Sequence, residues 1–398
     1  MVHSPANHAY GQRTSGSNAE RSRAFNRSLV LGKVREAGAT GRAQIARDTG
    51  LSTQAVSNII GDLVADGWLH EAGKRNEGRG QPAMQYTIAP CAGAALGIEI
   101  RPAAVLIALV GVDGQTLFTE RVAVDTANPQ TVHKLLPGLC TRALKHCAGK
   151  AGERILGAGV VMPGPFGATG LDGAPSDLPG WAQIDAQAHL EDALGLPVTI
   201  ENDANAAAMA ERVLGVAQGI DTFAYLYFGT GLGLGLVAGG TLQRGAFGNA
   251  GEIGHVPVLY RGALQPLEQA VSRMALQRHM HAARRSADRV EVLQDLLVEK
   301  HPALLQWLDD AAPALSQGIA IVENLLDPQT VVLGGAVPQE LVEALIARTA
   351  LSPRTVSNRP HRSHDRLIAG TCGRMTAPRG AAALVINTAF TPHIAAIA

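Results

Sequence analysis

Five side chains in the 398-residue chain have the chemistry to hold a polyol: Asn202, Asp203, Glu252, His255 and Glu268. Vicinal hydroxyls are matched by acceptors and donors working in pairs, and buried carboxylates do this with strong charge-assisted hydrogen bonds. Each residue has a plainer reading beside this one. Asp203 precedes Ala204-Asn205-Ala206-Ala207-Ala208 and can cap that helix, a role compatible with pocket duty. His255 reads equally as a packed structural histidine, and Glu268 as a surface charge. A second constellation lies near the N-terminus, where Thr53, Gln54, Ser57 and Asn58 offer short hydrogen-bonding side chains suited to base edges and phosphates.

The elements that must position this second set follow from apolar spacing. Phe25, Leu29, Val30 and Val34 recur at helical spacing from Ala24 to Ala37, where Gly38 stops the run. A short helix over Arg42 to Asp48 follows, Thr49-Gly50-Leu51 breaks it, and Ser52 or Thr53 caps another running to about Asp66. In this last helix Val56, Ile59, Ile60, Leu63 and Val64 form the inward stripe, leaving Thr53, Gln54, Ser57 and Asn58 outside. Trp68-Leu69-His70 and Met84 to Ile88 alternate like paired strands around a basic, glycine-rich tip that carries Lys74, Arg75 and Arg79. The pattern predicts a winged helix-turn-helix over residues 24–90, against the alternative of a small helical domain used for protein contacts. Residues 1–23 have almost no aliphatic side chains and read as a flexible basic arm, able to enter a DNA groove or to remain an ordinary disordered terminus.

Composition agrees with a multidomain globular protein. With 46% nonpolar and 17% charged residues, the chain can bury two ordinary cores, since single cores rarely grow beyond about 250–300 residues. Aromatics are scarce at 4% and glycines number 45, which favours close-packed helices and tight turns in an α/β class over a β-sandwich. The zero net charge is uneven: residues 1–90 hold eleven Lys/Arg against seven Asp/Glu, so the basic quarter is where nucleic acid would bind. No apolar run approaches the roughly 20 residues of a membrane helix, and no export signal is legible, so a cytoplasmic location with no membrane partner is expected. Cys91, Cys140, Cys147 and Cys372 are spaced too irregularly for a zinc cluster or a disulfide framework.

After Pro90 the texture changes to short apolar strands punctuated by Gly and Asp. Ala94 to Ile100, Val105 to Val110 and Leu117 to Val124 read as a meander with a hairpin turn at Val112-Asp113-Gly114-Gln115. A helix over Pro129 to Cys147, a strand over Leu156 to Val161, a helix over Ala186 to Leu194 and a strand ending at Glu201-Asn202-Asp203 follow. The meander recurs over Phe223 to Phe228, Leu232 to Ala238 and Thr241-Leu242. Helices dominate afterwards, with one strand, Thr330 to Leu333, and a final helix over Arg379 to Phe390. Two meanders, each followed by helices, predict two related lobes: one of about residues 91–200 plus 376–398, the other of about 201–375.

The segments LGIEI, MPGPF, LPGW, ENDANAAAMAE, FGTGLGLGLVAGG, GAFGNAGEIGHVPV and VVLGGAV stand in the order and spacing of the ROK family of repressors and sugar kinases. With the preceding helix-turn-helix, the chain resembles a NagC/XylR-type ROK transcriptional regulator over roughly residues 24–390. The resemblance implies an actin-like ATPase (ribonuclease H-like) fold whose lobes enclose a sugar. It aligns Asn202, Asp203, Glu252, His255 and Glu268 with sugar contacts, and puts Asp203 in the place of the kinase general base. Gly164, Asp177 and Gly180 become wall positions, which turn geometry explains as well. Gly229, Thr230 and Gly231 match the second phosphate loop, and Gly334 and Gly335 lie near the adenosine position; the same glycines also serve as turns the fold requires.

The chain departs from the family pattern in two places. The CxCGxxGCxE segment, whose cysteines join the His as zinc ligands, is here Arg261-Gly262-Ala263-Leu264-Gln265-Pro266-Leu267-Glu268, so no metal is expected. The first phosphate loop, DxGGT in the kinases, is Glu99-Ile100-Arg101-Pro102-Ala103; proline has no N–H and arginine adds bulk, so ATP use is expected to be lost and no cofactor is implied. The expected function is a sugar-responsive, non-catalytic repressor that binds a double-stranded DNA operator as a homodimer or dimer of dimers. An ATP-dependent sugar kinase with an appended DNA-binding domain, and a regulator controlled by a protein partner, are the alternatives.

Overall fold

The computed structural model describes residues 19–75, 82–90, 92–147, 154–162, 164, 178–287 and 289–390. The chain divides into two compact units, one of residues up to Ala89 together with those from Thr388, the other Pro90–Asn387.

In the first unit, helices α1 (Ala19–Ala37), α2 (Arg42–Thr49) and α3 (Thr53–Ala65) precede strands β2 (Leu69–Arg75) and β3 (Ala83–Ile88); a two-residue strand β1 (Thr40–Gly41) completes a sheet of order β1-β3-β2. Val30, Val34, Ile45, Val56, Ile60 and Leu63 fill its core. The turn between α2 and α3 is made by Gly50, whose left-handed backbone (φ 70°) donates its N–H to Ala46, and by Ser52, which caps α3 through the Ala55 N–H at 3.2 Å. This is a winged helix-turn-helix. Helix α1 starts at Ala19 and so takes up the last residues assigned to the arm. Arg23 and Arg27, one turn apart, meet Asp62 on α3 and Asp66 at its C-cap, each at 2.7 Å. Val64, expected in the inward stripe, is 36% exposed. It stands about 100° round the helix from Leu63, outside the i, i+3, i+4, i+7 stripe of Val56, Ile59, Ile60 and Leu63.

The second unit carries two five-stranded sheets of identical order. In the first, the meander β4 (Ala94–Arg101), β5 (Ala104–Gly111) and β6 (Thr116–Ala123) is extended by parallel β7 (Ile155–Val161) and β8 (Val198–Glu201). In the second, β9 (Phe223–Phe228), β10 (Leu232–Ala238) and β11 (Thr241–Leu242) are extended by parallel β14 (Thr330–Gly335) and β15 (Leu367–Ala369). The repeated order is that of the actin-like, ribonuclease H-like fold. Helices α4 (Pro129–Leu144) and α5 (Ala186–Leu194) belong to the first half; α7 (Arg273–Ala282), α8 (Val290–Val298), α9 (Pro302–Leu326) and α10 (Gln339–Arg348) to the second. Among the described residues, no helix is long and apolar enough to cross a membrane.

Helices α6 (Asp203–Leu214) and α11 (Thr376–Phe390) explain the glycine and alanine content. A Cβ on Gly97 of β4 would lie 1.7 Å from the Pro378 carbonyl oxygen, and one on Gly159 of β7 2.0 Å from that of Ala381. On α11 itself, Gly380 meets the Ala206 carbonyl of α6 at 1.8 Å by the same measure. Backbone rests on backbone at these crossings, which only glycine permits.

After β11 the structure holds three strands besides β14, where the sequence predicts none. Strands β12 (Pro257–Tyr260) and β13 (Ala263–Pro266) form a hairpin, and β15 has three residues. The hairpin turn is Arg261-Gly262, with φ of 50° and 82°. Both residues have the left-handed backbone of a type I′ turn, but arginine replaces the Asn or Asp that normally signals it.

These contacts set opposite expectations for two glycine substitutions. Gly97→Val should destabilise the protein by about 3 kcal/mol or more, because α11 must be displaced. Gly61→Ala, in α3 with open space around it, should stabilise by about 0.5–1 kcal/mol. Denaturant unfolding of both variants checks the pair.

Candidate functional site

The ends of β4, β8 and β9, the start of α6 and the segment from Gly251 to Arg273 line a cleft of about 440 Å3, within the size range of ligand pockets. Gly164, Asn202, Asp203, Glu252, His255 and Glu268 all face it, so the structure brings the whole predicted sugar set together. Asp177 lies outside the described residues. Gly180 is not among the lining residues; its left-handed backbone (φ 87°) starts a short 3-10 helix at Trp181–Gln183, against Pro129.

Asn202, not Asp203, caps α6: its Oδ1 accepts the Asn205 N–H at 2.8 Å. Its own N–H is bound by the buried Glu201 carboxylate at 3.0 Å, which also accepts from Asn205 Nδ2 (2.9 Å) and Arg244 Nε (2.6 Å). Asp203 is thereby released from capping and stands as the first helical residue. Burial, and then the neighbouring Glu99 charge, push its carboxyl up to about 6, while backbone hydrogen bonds and Arg101 pull the other way.

Glu252 and His255 sit at the two ends of one 3-10 turn, with Oε2 and Nε2 3.7 Å apart. His255 is 40% exposed on its side chain, so it is not the packed structural histidine of the plainer reading. Burial raises the Glu252 carboxyl above its ordinary value, with His255 opposing and Glu268 reinforcing the shift. Glu268 is half-buried, and its Oε2 would lie 2.7 Å from a Cβ on Gly231. It therefore stands against the glycine turn and is not a surface charge.

His255 and Glu268 flank the β12–β13 hairpin, and the hairpin is firmly held. Arg261 donates to Asp310 of α9 at 2.6 and 3.2 Å, meets the His279 ring at 3.2 Å and lies over the Tyr260 ring. Gln317 of α9 exchanges both side-chain hydrogen bonds with the Leu259 backbone, at 2.9 and 3.0 Å. This hairpin occupies the segment where the family resemblance described above implies three cysteines. Its residues supply no thiolate, and among the described residues no three His, Cys, Asp or Glu form a metal-ligand group.

Gly229, Thr230 and Gly231 line the cleft as the β9–β10 turn. Gly334 and Gly335 do not line it. They are buried in β14, where a Cβ would meet the Tyr225 hydroxyl at 2.4 Å and the Phe228 carbonyl at 2.4 Å. Packing alone accounts for both.

Sequence reasoning did not assign Glu99, Arg101, Tyr227 or Arg273 to the cleft, yet all four line it. Glu99 is 5% exposed and binds Arg101 in bidentate fashion, Oε1 to Nε at 2.7 Å and Oε2 to Nη2 at 2.8 Å. The signal was the Glu-x-Arg spacing at the end of β4, which puts both side chains on the same face of the strand. Pro102 and Ala103 then make the two-residue β4–β5 turn, with Arg101 opposite Ala104.

In the winged helix-turn-helix unit, Thr53, Gln54 and Asn58 are exposed and Ser57 is half-buried. Gln54 Nε2 donates to Asn58 Oδ1 at 3.0 Å, so the pair is oriented before any contact. Lys74 and Arg75 are exposed at the end of β2; Arg79 lies outside the described residues.

The xylose repressor of Bacillus spizizenii is 22% identical over 319 residues, covering 78% of this chain and 82% of its own. The glucokinase of Streptomyces coelicolor is 28% identical over 279 residues, covering 62% of this chain and 83% of its own. The crystal structure of a ROK transcriptional regulator, a homologue of the E. coli MLC protein, superposes with a TM-score of 0.70 at 21% identity, over 94% of this chain and 97% of that one. Residues 95–388 match the ROK family, and the chain belongs to that family.

Proposed function

We propose that this chain is a sugar-responsive transcriptional repressor that binds operator DNA through its winged helix-turn-helix and a sugar in the cleft beside α6. The observation that carries this reading is the convergence of Asn202, Asp203, Glu252, His255 and Glu268 on one cleft, in a chain that also presents Thr53, Gln54 and Asn58 on an exposed helix face. Relatives named xylose repressors, matched over 78% of this chain, support it. A sugar that binds one arrangement of the protein better than another shifts the population toward it, and only that differential affinity can change DNA binding. In a homodimer or dimer of dimers, the shift would change the spacing of two recognition helices that must meet half-sites about one helical turn apart.

The protein works without ATP and without zinc in this reading. Arg101 and Pro102 replace the glycines of the first phosphate loop, and Glu268 adds a negative charge against Gly231 in the second. The second reading, an ATP-dependent sugar kinase, is favoured by Asp203 in the general-base place and by the Gly229–Gly231 turn in the same cleft. Steady-state ATP turnover with a hexose panel separates the two, with no sugar-dependent turnover expected.

Fluorescence anisotropy on the DNA upstream of its own gene, at fixed salt, should show specific binding that one sugar weakens. Gln54→Ala should lose about 1–3 kcal/mol and relax preference at one base position, whereas Lys74→Ala should weaken binding on all sequences and lower the salt slope by about 1. Asp203→Asn should reduce the sugar response at least about tenfold and leave DNA affinity without sugar unchanged. Because the Asp203 carboxyl lies near 6, it is ionised and accepting at about pH 7.5 and protonated at about pH 5. Affinity for a neutral sugar should therefore fall as pH drops through that range, and Asp203→Asn should flatten the profile.

A further inference from the structure

A second pocket, of about 320 Å3, opens between the β12–β13 hairpin and α7, and it shares no lining residue with the cleft. The spacing along α7 explains its shape. Ala275, Arg278, His279 and Ala282 fall at positions i, i+3, i+4 and i+7, so they share one face of the helix, and the two alanines leave room for a ligand. Tyr260 of β12, Gln265 of β13 and Gln269 of the following 3-10 turn complete the lining.

Two arginines line this pocket in different states. Arg261 is matched: Asp310 accepts from it at 2.6 and 3.2 Å, and its Nη2 meets His279 Nδ1 at 3.2 Å. An arginine can only donate, so Nδ1 is the acceptor, and the ring's proton sits on Nε2, which donates to the Ala303 carbonyl at 2.9 Å. The imidazole is neutral in this arrangement. Arg278, by contrast, is exposed, and among the described residues its side chain has no hydrogen-bond or ion-pair partner. Its charge still reaches the pocket: burial pushes the Tyr260 hydroxyl above its ordinary value, Arg261 and Arg278 act against this, and Asp310 reinforces it. Arg261 and Asp310 cancel, so Arg278 leaves the pocket with an uncompensated positive charge. From Gln269 to Ala287 the chain carries no Asp or Glu, so no carboxylate on α7 competes for it.

The neutral part of the lining is rich in amides. Among the described residues the Gln269 side chain makes no hydrogen bond, and Gln265 engages only Nε2, on the Tyr260 carbonyl at 3.5 Å. Each amide thus keeps an acceptor and donors, the combination that a hydroxyl group needs. A phosphate ester would set nearly two negative charges against one positive charge, whereas a carboxylate brings one and matches the planar guanidinium fork.

We propose that this pocket is a second ligand site, for a small hydroxycarboxylate whose acid group is held by Arg278 and whose hydroxyls are held by Gln265 and Gln269. The proposal is independent of what the cleft binds. Occupancy would nevertheless bear on the cleft, because Gln269 follows Glu268 in the same 3-10 turn and a ligand that grips one braces the other.

Ligand-observed NMR titration of the full chain at about pH 7.5, where carboxylates are ionised, tests this with lactate, glycerate and gluconate. Glycerol and sorbitol serve as neutral counterparts, propionate as an acid without a hydroxyl, and inorganic phosphate as a bare oxyanion. One hydroxy acid should bind at least about tenfold tighter than its neutral counterpart, and Arg278→Gln should lose at least about tenfold of that affinity. Since Arg278 makes no contact that supports the fold, the variant should melt with the parent protein. Asp203→Asn, which alters the cleft, should leave the acid's affinity within about twofold. Acid binding that survives Arg278→Gln, or that falls in Asp203→Asn, overturns the proposal. Propionate or phosphate that binds as tightly as the hydroxy acid also overturns it, as does the absence of binding by every acid. The sugar response of DNA binding is a separate measurement, so failure here leaves the sugar-sensing reading standing.

Discussion

Helix α6 is buried on nearly every side, and the geometry of the cleft depends on how that burial is made tolerable. Residues Ala204 through Glu211 are all buried, against β10 at Gly235 and against α11 at Gly380. Small side chains allow the approach, but they do nothing for the polar backbone groups at the helix ends. At the N-terminus Asn202 and Glu201 satisfy the free donors. At the C-terminus Glu211, 0% exposed, accepts from the backbone N–H groups of Val216, Thr371 and Cys372 at 2.8 to 2.9 Å. A buried carboxylate is tolerable only when it is matched in this way. With both ends fixed, the first residue of the helix has one place to be, and Asp203 reaches the cleft from there.

The elements legible in the sequence were those whose period is strong. The two meanders, α5 over Ala186–Leu194 and the recognition helix follow from apolar spacing and from cap residues such as Ser52. The β12–β13 hairpin was not legible, since its strands are four residues long and its turn is signalled by an arginine. Strand β15, with three residues, carries too little pattern to separate it from a loop. In the site, the polyol set was legible because hydrogen-bonding residues suited to vicinal hydroxyls coincide with the segments ENDAN and GEIGH that carry the family resemblance. The division of labour between Asn202 and Asp203 was not, because both types cap helices and only the backbone decides which does so. Glu99 was hidden for a different reason: within Leu96 to Ile100 it reads as the polar member of an apolar strand, and its burial depends on Arg101.

Under the proposed non-catalytic reading, Asp203 and Glu99 set the cleft apart from a kinase site with a damaged loop. A general base beside a transferring phosphoryl group works best where the neighbouring charge is positive and the phosphate has open backbone N–H groups. Here Glu99 raises the Asp203 carboxyl, and the residue that offsets Glu99 is the arginine standing in place of the first loop glycine. Removing Arg101 to reopen the loop would leave Glu99 buried without its partner, a loss that breaking a buried ion pair makes severe. The two substitutions relative to the kinase pattern are thus coupled: the acid and the arginine hold each other, and neither reverts alone at small cost.

The hairpin resolves a second difficulty of the same kind. His255 and Glu268 face one cleft from the two ends of a single segment. Here the segment is held by protein contacts: Leu267 N–H to the Val256 carbonyl at 3.0 Å, the register of β12 on β13, and the Arg261 and Gln317 contacts to α9. The left-handed backbone at Arg261 costs about 1 kcal/mol or more, which the Asp310 contact offsets in part. Ser272 completes the arrangement, since its hydroxyl donates to the Glu268 carbonyl at 2.7 Å and its oxygen caps α7 through Ala275 at 3.0 Å. Glu268 is therefore tied to a helix terminus on one side and to a hairpin on the other. The position of Glu268 in the cleft is thus set by hydrogen bonds at both ends of its segment.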